Sequence, residues 1–359
     1  DVRVANLSYL QAGWYIDMMR QKAFESDPMP LSLPSEKYVE GSRTQLPVSN
    51  RVDQPVPISQ VLDFAASDDR RYMIDITGRG DYFNYIPANK FIIDVDSARV
   101  LDNGTVKDYF ADRIVSPMIW EYTEGDAFKG DLAIIDLLST NNWERPVYFS
   151  TTVPSSQYKG LEKYFIQEGM AYRIVPVNTG TNDMGEFGMI DPSIMYDNLM
   201  NKFKWGNAED PEVYLDENNK RMFSNFKRLF GNLGMTLLAQ GDTAKAVDVA
   251  RKGLMIVPAE KMPHDFFSIG PAEVLLRAGE KAEGEAVIES IIKYSKEYLD
   301  YAVSLGPGMR FGMEYPNGIN MQALLDIYNM SVRLKLDSLT SRVEPEINDY
   351  YGLLYSPAQ

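Results

Sequence analysis

The pattern of apolar and polar positions divides the chain into two parts of different character. Up to about residue 190, short apolar runs with period-two spacing alternate with stretches that have helical spacing. The predicted strands are 2–7, 72–76, 91–95, 146–151 and 171–177, and the predicted helices are 14–19, 58–66, 129–140 and 161–167. Strands that alternate with helices favour an α/β fold with some parallel pairing.

From Pro192 onward the spacing of apolar residues is helical throughout. A polar segment at 207–211 interrupts this pattern, and the helix predicted at 193–205 could pack on either side of it. We therefore predict an α/β domain at 1–205, followed by an all-α helical-repeat domain at 206–359.

The helical part contains an internal repeat with the spacing of a tetratricopeptide unit. Small residues would let two antiparallel helices approach closely, a glycine would form the turn, and a proline would end the second helix. These positions are Phe230, Leu233, Gly234, Leu237, Gly241, Ala246, Ala250, Gly253 and Pro258. A looser copy follows over 275–287, and 322–336 with 347–354 would form a third pair that caps the array.

Composition narrows the possible partners and chemistry. The net charge is −15, which disfavours nucleic acid, and there is no cysteine for disulfides, thiolate metal sites or nucleophilic catalysis. The single histidine, His264, lies in a turn-like stretch, where an exposed loop side chain is a better interpretation than a catalytic one. We expect no catalytic residue, no cofactor and no metal site.

Two motifs could nevertheless carry chemistry. Asp94 and Asp96 would share one face of a strand, and such a pair can hold a divalent metal against a sugar nucleotide, although a solvated strand face is the better interpretation. Tyr294, Tyr298 and Tyr301 recur at helical spacing. They could form a sugar-stacking or peptide-binding strip, but an inner helix face is favoured.

A third pattern, Asp followed by Ser or Thr and an aliphatic residue, occurs three times. It resembles the acceptor pattern of O-glycosylation in some exported bacterial proteins, with Ser97, Thr243 and Ser338 as candidate acceptors. Helix N-capping by the aspartate is the structural alternative, most clearly at Thr243.

Several stretches together resemble one family. They are 1–8, 14–16, 129–136, 141–149, 160–169 and 171–176, and the most specific lie between Lys129 and Pro176. They are similar to the exported C-terminal region of a bacterial multispanning family, glycosyltransferase family 117. This family is related to a vertebrate O-mannosyltransferase, transmembrane protein 260, and it ends in tetratricopeptide-like helices.

The resemblance implies that catalysis belongs to an N-terminal membrane domain outside this sequence. This chain would then be a non-catalytic domain on the periplasmic side of the bacterial inner membrane, tethered by that domain. Its expected partners are exported acceptor proteins or membrane-assembly components. The first helices of the repeat pairs would line a concave binding face, which points to Asn225, Arg228, Asn232, Thr236 and the stretch 267–275.

Two other functions remain open. One is a free-standing glycan-binding module with tetratricopeptide helices, although such modules are mostly helical and carry a lipidated N-terminal cysteine. The other is an independent sugar-nucleotide enzyme that uses Asp94 and Asp96.

Overall fold

The protein is described by a computed structural model that covers residues 2–75, 78–180, 188–305, 309 and 311–355. It divides into two compact units. The first contains residues 1–167 and 171–189, and the second contains 168–170 and 190–359. Each unit has its own hydrophobic core.

The first unit is of the α/β class, as predicted. Its helices are α1 Gly13–Met19, α2 Ile58–Ala66, α3 Ser97–Asp102 and α4 Lys129–Asn141. Its strands are β1 Gln45–Pro47, β2 Val56–Pro57, β3 Met73–Asp75, β4 Tyr82–Asn84, β5 Lys90–Ile93, β6 Met118–Glu121, β7 Asp126–Phe128, β8 Tyr148–Ser150, β9 Phe165–Gln167 and β10 Ala171–Ile174. A further short strand, β11, is Met189–Ile190 at the division between the units.

The strands form small sheets with both pairing directions. β2 pairs with β5 in parallel, and β5 pairs with β6 in antiparallel register, with Phe91 opposite Trp120. Strand β10 lies between β8 and β9 and is antiparallel to both. Among the named strands, the predicted parallel pairing is therefore present but limited to the two-residue pair of β2 with β5.

Two sequence predictions in this unit were wrong. Residues 2–7 form no strand, and Val2 and Val4 are 85% and 78% exposed. The helix predicted at 161–167 is instead a 3₁₀ turn, Glu162–Tyr164, followed by strand β9. All three residues of β9 are buried, and this strand pairs with β10, so tertiary contacts outweigh the helical spacing.

A buried carboxylate on helix α4 holds the long loop that precedes α2. Asp136 accepts hydrogen bonds from Ser32 N at 2.8 Å, Ser32 Oγ at 2.7 Å, Leu33 N at 3.0 Å and the Tyr38 hydroxyl at 2.8 Å. Burial and Asp136 raise the pKa of Tyr38 far above its ordinary value, so Tyr38 remains a donor. Because several donors satisfy this carboxylate, its function is structural.

The second unit is helical. Its elements are α5 Pro192–Asp197, continued by a π-helical turn Asn198–Lys202, then α6 Glu217–Ala239, α7 Thr243–Met255, a 3₁₀ turn Phe266–Ser268, α8 Ile269–Ala278, α9 Lys281–Ser304, α10 Glu314–Leu334 and α11 Asp337–Tyr355. The predicted pairs α6–α7 and α8–α9 are present, joined by short turns in which Gly241 and Gly279 adopt positive φ.

Small residues lie at the helix contacts, as the repeat pattern predicts. A Cβ atom added at Gly253 would lie 2.4 Å from Phe230 Cβ, so α6 and α7 can pack this closely only with glycine there. Gly234 faces Val274 of α8, and Ala246 and Ala250 are fully buried. The helix pairs are thus observed, whereas their assignment to the tetratricopeptide class stays a prediction.

The division between the units falls near residue 189 instead of the predicted 205. Met195 and Leu199 are fully buried in the core of the helical unit, which places α5 there. Asn198 Nδ2 also donates a hydrogen bond to Glu168 O at 2.6 Å, which attaches residues 168–170 to the same unit. The sequence shows a polar break at 207–211, but contacts and not linker polarity decide a domain boundary.

Candidate functional site

The predicted partner-binding residues form a stripe along one side of helix α6. Asn225 and Arg228 are exposed, and Asn232 and Thr236 are half-buried. Asn225 Nδ2 donates to Arg221 O, and Thr236 Oγ1 donates to Asn232 O, so both side chains have local partners within the helix. The spacing of three to four residues places the four side chains on one face, where they could contact an extended segment.

The second part of the predicted face is not accessible. Of the ten residues of α8, seven are buried, including Val274 and Leu275, which are fully buried. Helix α8 packs against α6, α7, α9 and α10. The prediction that 267–275 lines an open concave face is therefore wrong over α8, because neighbouring helices cover this helix on several sides.

A polar cluster lies where the 3₁₀ turn Phe266–Ser268 meets the buried face of α6. Ser224 Oγ donates to Asp265 Oδ2 at 3.1 Å. Lys227 is fully buried, and its Nζ finds no hydrogen-bond partner within the described part of the chain; the same is true of the buried Nδ1 of His264. His264 was predicted to be an exposed loop residue; it is instead half-buried and lies near Lys227.

Burial controls the ionisation of this cluster. It lowers the pKa of His264 to about 4, with Lys227 contributing in the same direction. Burial also lowers the pKa of Lys227 and raises that of Asp265, while the opposite charge of each partly offsets these shifts. The cluster thus holds a neutral imidazole with unfulfilled hydrogen-bonding capacity. Its members on α6, Ser224 and Lys227, lie on the buried face of that helix and not on the exposed stripe.

The tyrosine strip borders this region. Tyr294 and Tyr298 are half-buried, and Tyr301 is 58% exposed. The favoured interpretation as an inner helix face was wrong, because the buried face of α9 runs through Ile288, Ile291, Ser295 and Leu299 instead. Burial and the nearby Asp265 raise the pKa of Tyr294, which places its hydroxyl in the same electrostatic environment as the polar cluster.

A charged groove of about 380 Å³ separates α9 and α11. Its side chains pair with each other across the groove: Lys296 with Glu346, Arg342 with Glu289, and the Tyr350 hydroxyl with Asp300 Oδ1 at 2.5 Å. These pairs join the two helices, so the groove is a helix contact with satisfied charges.

The Asp94 and Asp96 pair does not form on a strand face. Strand β5 ends at Ile93, and the carboxylate of Asp96 caps helix α3 by accepting from Ala98 N at 3.0 Å and Arg99 N at 3.2 Å. Among the residues that the structure describes, no group of three or more carboxylate, histidine or cysteine side chains is arranged to hold a metal ion.

The three candidate glycosylation acceptors share one structural setting. Ser97, Thr243 and Ser338 are exposed, and each lies within the first two residues of a helix. Asp96 caps helix α3, which begins at Ser97, and Asp242 caps helix α7, which begins at Thr243. Both carboxylates accept hydrogen bonds from backbone N–H groups. N-capping therefore explains the aspartate at these two sites without modification, while the exposed hydroxyl groups leave modification a prediction.

In the part of the chain that the structure describes, no helix has the length and apolar character needed to cross a membrane. The fold defines a protein that combines an α/β unit with an all-helical unit. The stripe on α6 and the polar cluster around His264 both lie in the helical unit. A family model described as TMEM260-associated domain 2 matches residues 1–194, which is more than half of the chain, and the chain belongs to this family. No curated protein and no solved structure matches it significantly.

The family match confirms the predicted relation to transmembrane protein 260 over the α/β unit and the start of the helical unit. The stripe on α6 was predicted from its position in the repeat, and its role in binding stays a prediction. The polar cluster around His264 was not predicted, because Ser224, Lys227 and Asp265 are brought together only by the packing of the 3₁₀ turn on α6. The isolated lysine within an otherwise apolar face of α6 was the available signal.

Proposed function

We propose that this chain is a non-catalytic, periplasmic domain of a membrane-embedded protein O-glycosyltransferase of the family 117 type, and that it holds exported acceptor proteins near the membrane active site. The family match over residues 1–194 carries this proposal, because it relates the chain to a family named after transmembrane protein 260. The acceptor-binding part of the proposal rests on the helical unit.

The exposed stripe of α6 supplies the proposed contact surface. Amide and guanidinium groups at Asn225, Arg228 and Asn232 can bind the backbone and the carboxylates of an extended peptide. A small, polar surface of this kind suits transient contacts with micromolar or weaker affinity.

The test is an NMR titration of the chain with peptides that carry the Asp-Ser/Thr-aliphatic pattern. We expect amide shifts centred on α6, and we expect Arg228→Glu to weaken binding about fivefold, as for loss of a moderately important contact residue. Lys293→Glu is the matched control, since Lys293 is a 77% exposed lysine on α9 with only a 3.9 Å ion pair to Glu297. Shifts confined to the α/β unit, or no shifts at millimolar peptide, would show that α6 does not bind acceptors.

A second candidate function, glycan binding, is favoured by the tyrosine strip. The exposed ring of Tyr301 and the half-buried rings of Tyr298 and Tyr294 offer aromatic faces at helical spacing. If glycan binding is the function, oligosaccharides will shift the ring resonances of these tyrosines, and Tyr301→Ala will weaken the interaction while Arg228→Glu will not.

A further inference from the structure

One aromatic side chain in the α/β unit is displayed on a tight turn. Ala23 and Ser26 form an antiparallel bridge, in which Ser26 N donates to Ala23 O at 2.9 Å and Ala23 N donates to Ser26 O at 3.1 Å. Phe24 lies at the tip with φ +54° and is 95% exposed. A bulky residue in this conformation is strained, and such strain is concentrated at functional positions.

Further exposed apolar side chains lie around this tip. Val2 is 85% exposed, Val4 78%, and Met18 41%, and all three line the same open groove of about 340 Å³ as Phe24. Trp14, 65% exposed, lies one helical turn before Met18 on α1. We call Val2, Val4, Trp14, Met18 and Phe24 the N-terminal patch. Contiguous exposed apolar patches mark interaction sites.

The charges in this groove are positive, although the chain as a whole has a net charge of −15. Arg3 and Lys22 line it, and among the residues that the structure describes no carboxylate does; Glu25 and Asp27, which follow the tip in sequence, are outside the lining. Arg3 Nη2 donates to Met18 O at 2.6 Å, which holds the guanidinium against α1. Within the described residues, neither cation forms an ion pair.

We propose that the N-terminal patch binds the surface of a lipid bilayer that contains anionic headgroups. A protruding phenylalanine tip can insert among acyl chains, and a tryptophan and long cationic side chains suit the interfacial layer, where each has an apolar and a polar part. The cationic groups of Arg3 and Lys22 beside the apolar side chains complement lipid phosphates. A protein partner would instead need a cavity that accepts the protruding Phe24.

Trp14 provides a direct probe of this contact. Of the four tryptophans, Trp120 and Trp143 are buried and Trp205 is half-buried in the helical unit, so the exposed Trp14 is the one best placed to report on a bilayer. We expect its fluorescence to shift to the blue when large unilamellar vesicles of phosphatidylcholine and phosphatidylglycerol are added, and to be quenched by brominated acyl chains. Trp14→Phe should remove the shift while vesicle cosedimentation persists.

Two variants test the contacts separately. Phe24→Asn removes the ring and places a residue that tolerates positive φ, so the turn is kept; we expect roughly tenfold weaker partitioning onto the vesicles. Tyr214→Asn is its control, because Tyr214 is 86% exposed in the helical unit.

Lys22→Glu tests the electrostatic contact. It should weaken binding to vesicles with phosphatidylglycerol about fivefold or more but leave binding to pure phosphatidylcholine unchanged. Lys204→Glu, at an exposed lysine of the helical unit, should change neither.

Three outcomes would overturn the proposal. The first is the absence of cosedimentation with either vesicle, and the second is an equal loss in Phe24→Asn and Tyr214→Asn. The third is concentration-dependent self-association that Phe24→Asn abolishes in the absence of lipid, which would show that a second copy of the chain covers the patch. Circular dichroism of each variant checks that the fold is retained.

Discussion

His264 is held mainly as a neutral base because its surroundings exclude water and place a lysine nearby. Burial lowers its pKa to about 4, and Lys227 acts in the same direction. Between this value and the ordinary 6.5, the unfolded chain binds a proton that the folded chain does not. The contribution of His264 to the free energy of unfolding therefore increases as the pH rises from about 4 to 6.5. The raised pKa of Asp265 acts in the opposite direction.

The single histidine allows a direct measurement at this scale. We expect the imidazole carbon-bound proton signal of His264 to titrate with a midpoint near pH 4, because the folded environment resists protonation. His264→Gln should abolish the signal and flatten the dependence of the unfolding free energy on pH between 4 and 6.5. A midpoint near 6.5 would mean that the imidazole is exposed to water and that the cluster does not form.

At the scale of helices, glycine determines how closely α6 and α7 pack. The Cβ of Phe230 occupies the position where a side chain at Gly253 would begin, at 2.4 Å. Gly318 on α10 is also helical, but a Cβ there would have open space around it. The same residue type therefore has a packing role at one position and only a conformational entropy cost at the other.

This difference predicts that alanine substitutions at the two positions change the free energy of unfolding in opposite directions. Gly253→Ala should lower the free energy of unfolding by about 1–3 kcal/mol, because the new methyl group overpacks the contact with Phe230. Gly318→Ala should raise it by up to about 1 kcal/mol, the gain in helix propensity at an exposed site. Urea denaturation measures both. Equal effects would mean that α6 and α7 do not pack closely at this point.

At the scale of the molecule, each unit has its own hydrophobic core, and helix α5 belongs to the core of the helical unit. Met195 and Leu199 are fully buried there. A fragment that begins at 206 would remove both side chains and leave a cavity in the core, whereas one that begins at 190 would keep them. Lost core side chains of this size each cost roughly 2–5 kcal/mol.

We therefore expect the fragment 190–359 to be helical by circular dichroism and to melt cooperatively, and the fragment 206–359 to melt at a clearly lower temperature or to lack a cooperative transition. Met195→Ala in the longer fragment is the matched comparison and should lie between the two. If 206–359 were as stable as 190–359, α5 would contribute nothing to this core.

Elements whose signal is local could be predicted from the sequence alone. Helix α2 begins and ends at the predicted residues 58 and 66. Its apolar spacing and the residues that flank it are both visible in the local sequence. The small residues of the helical repeat likewise indicated the contact between α6 and α7, because glycine and alanine at helical spacing have a direct steric meaning. The class of the fold followed from these periodicities.

Features that depend on residues far apart in the chain arise from tertiary contacts and could not be predicted. Asp136 meets donors about a hundred positions earlier in the chain, β9 is a strand because it pairs with β10, and α8 is covered by helices on several sides. The cluster of Lys227 with His264 and Asp265 forms in the same way. Such contacts leave no periodic signal in the local sequence, because burial and ionisation are properties of the folded environment and not of a segment.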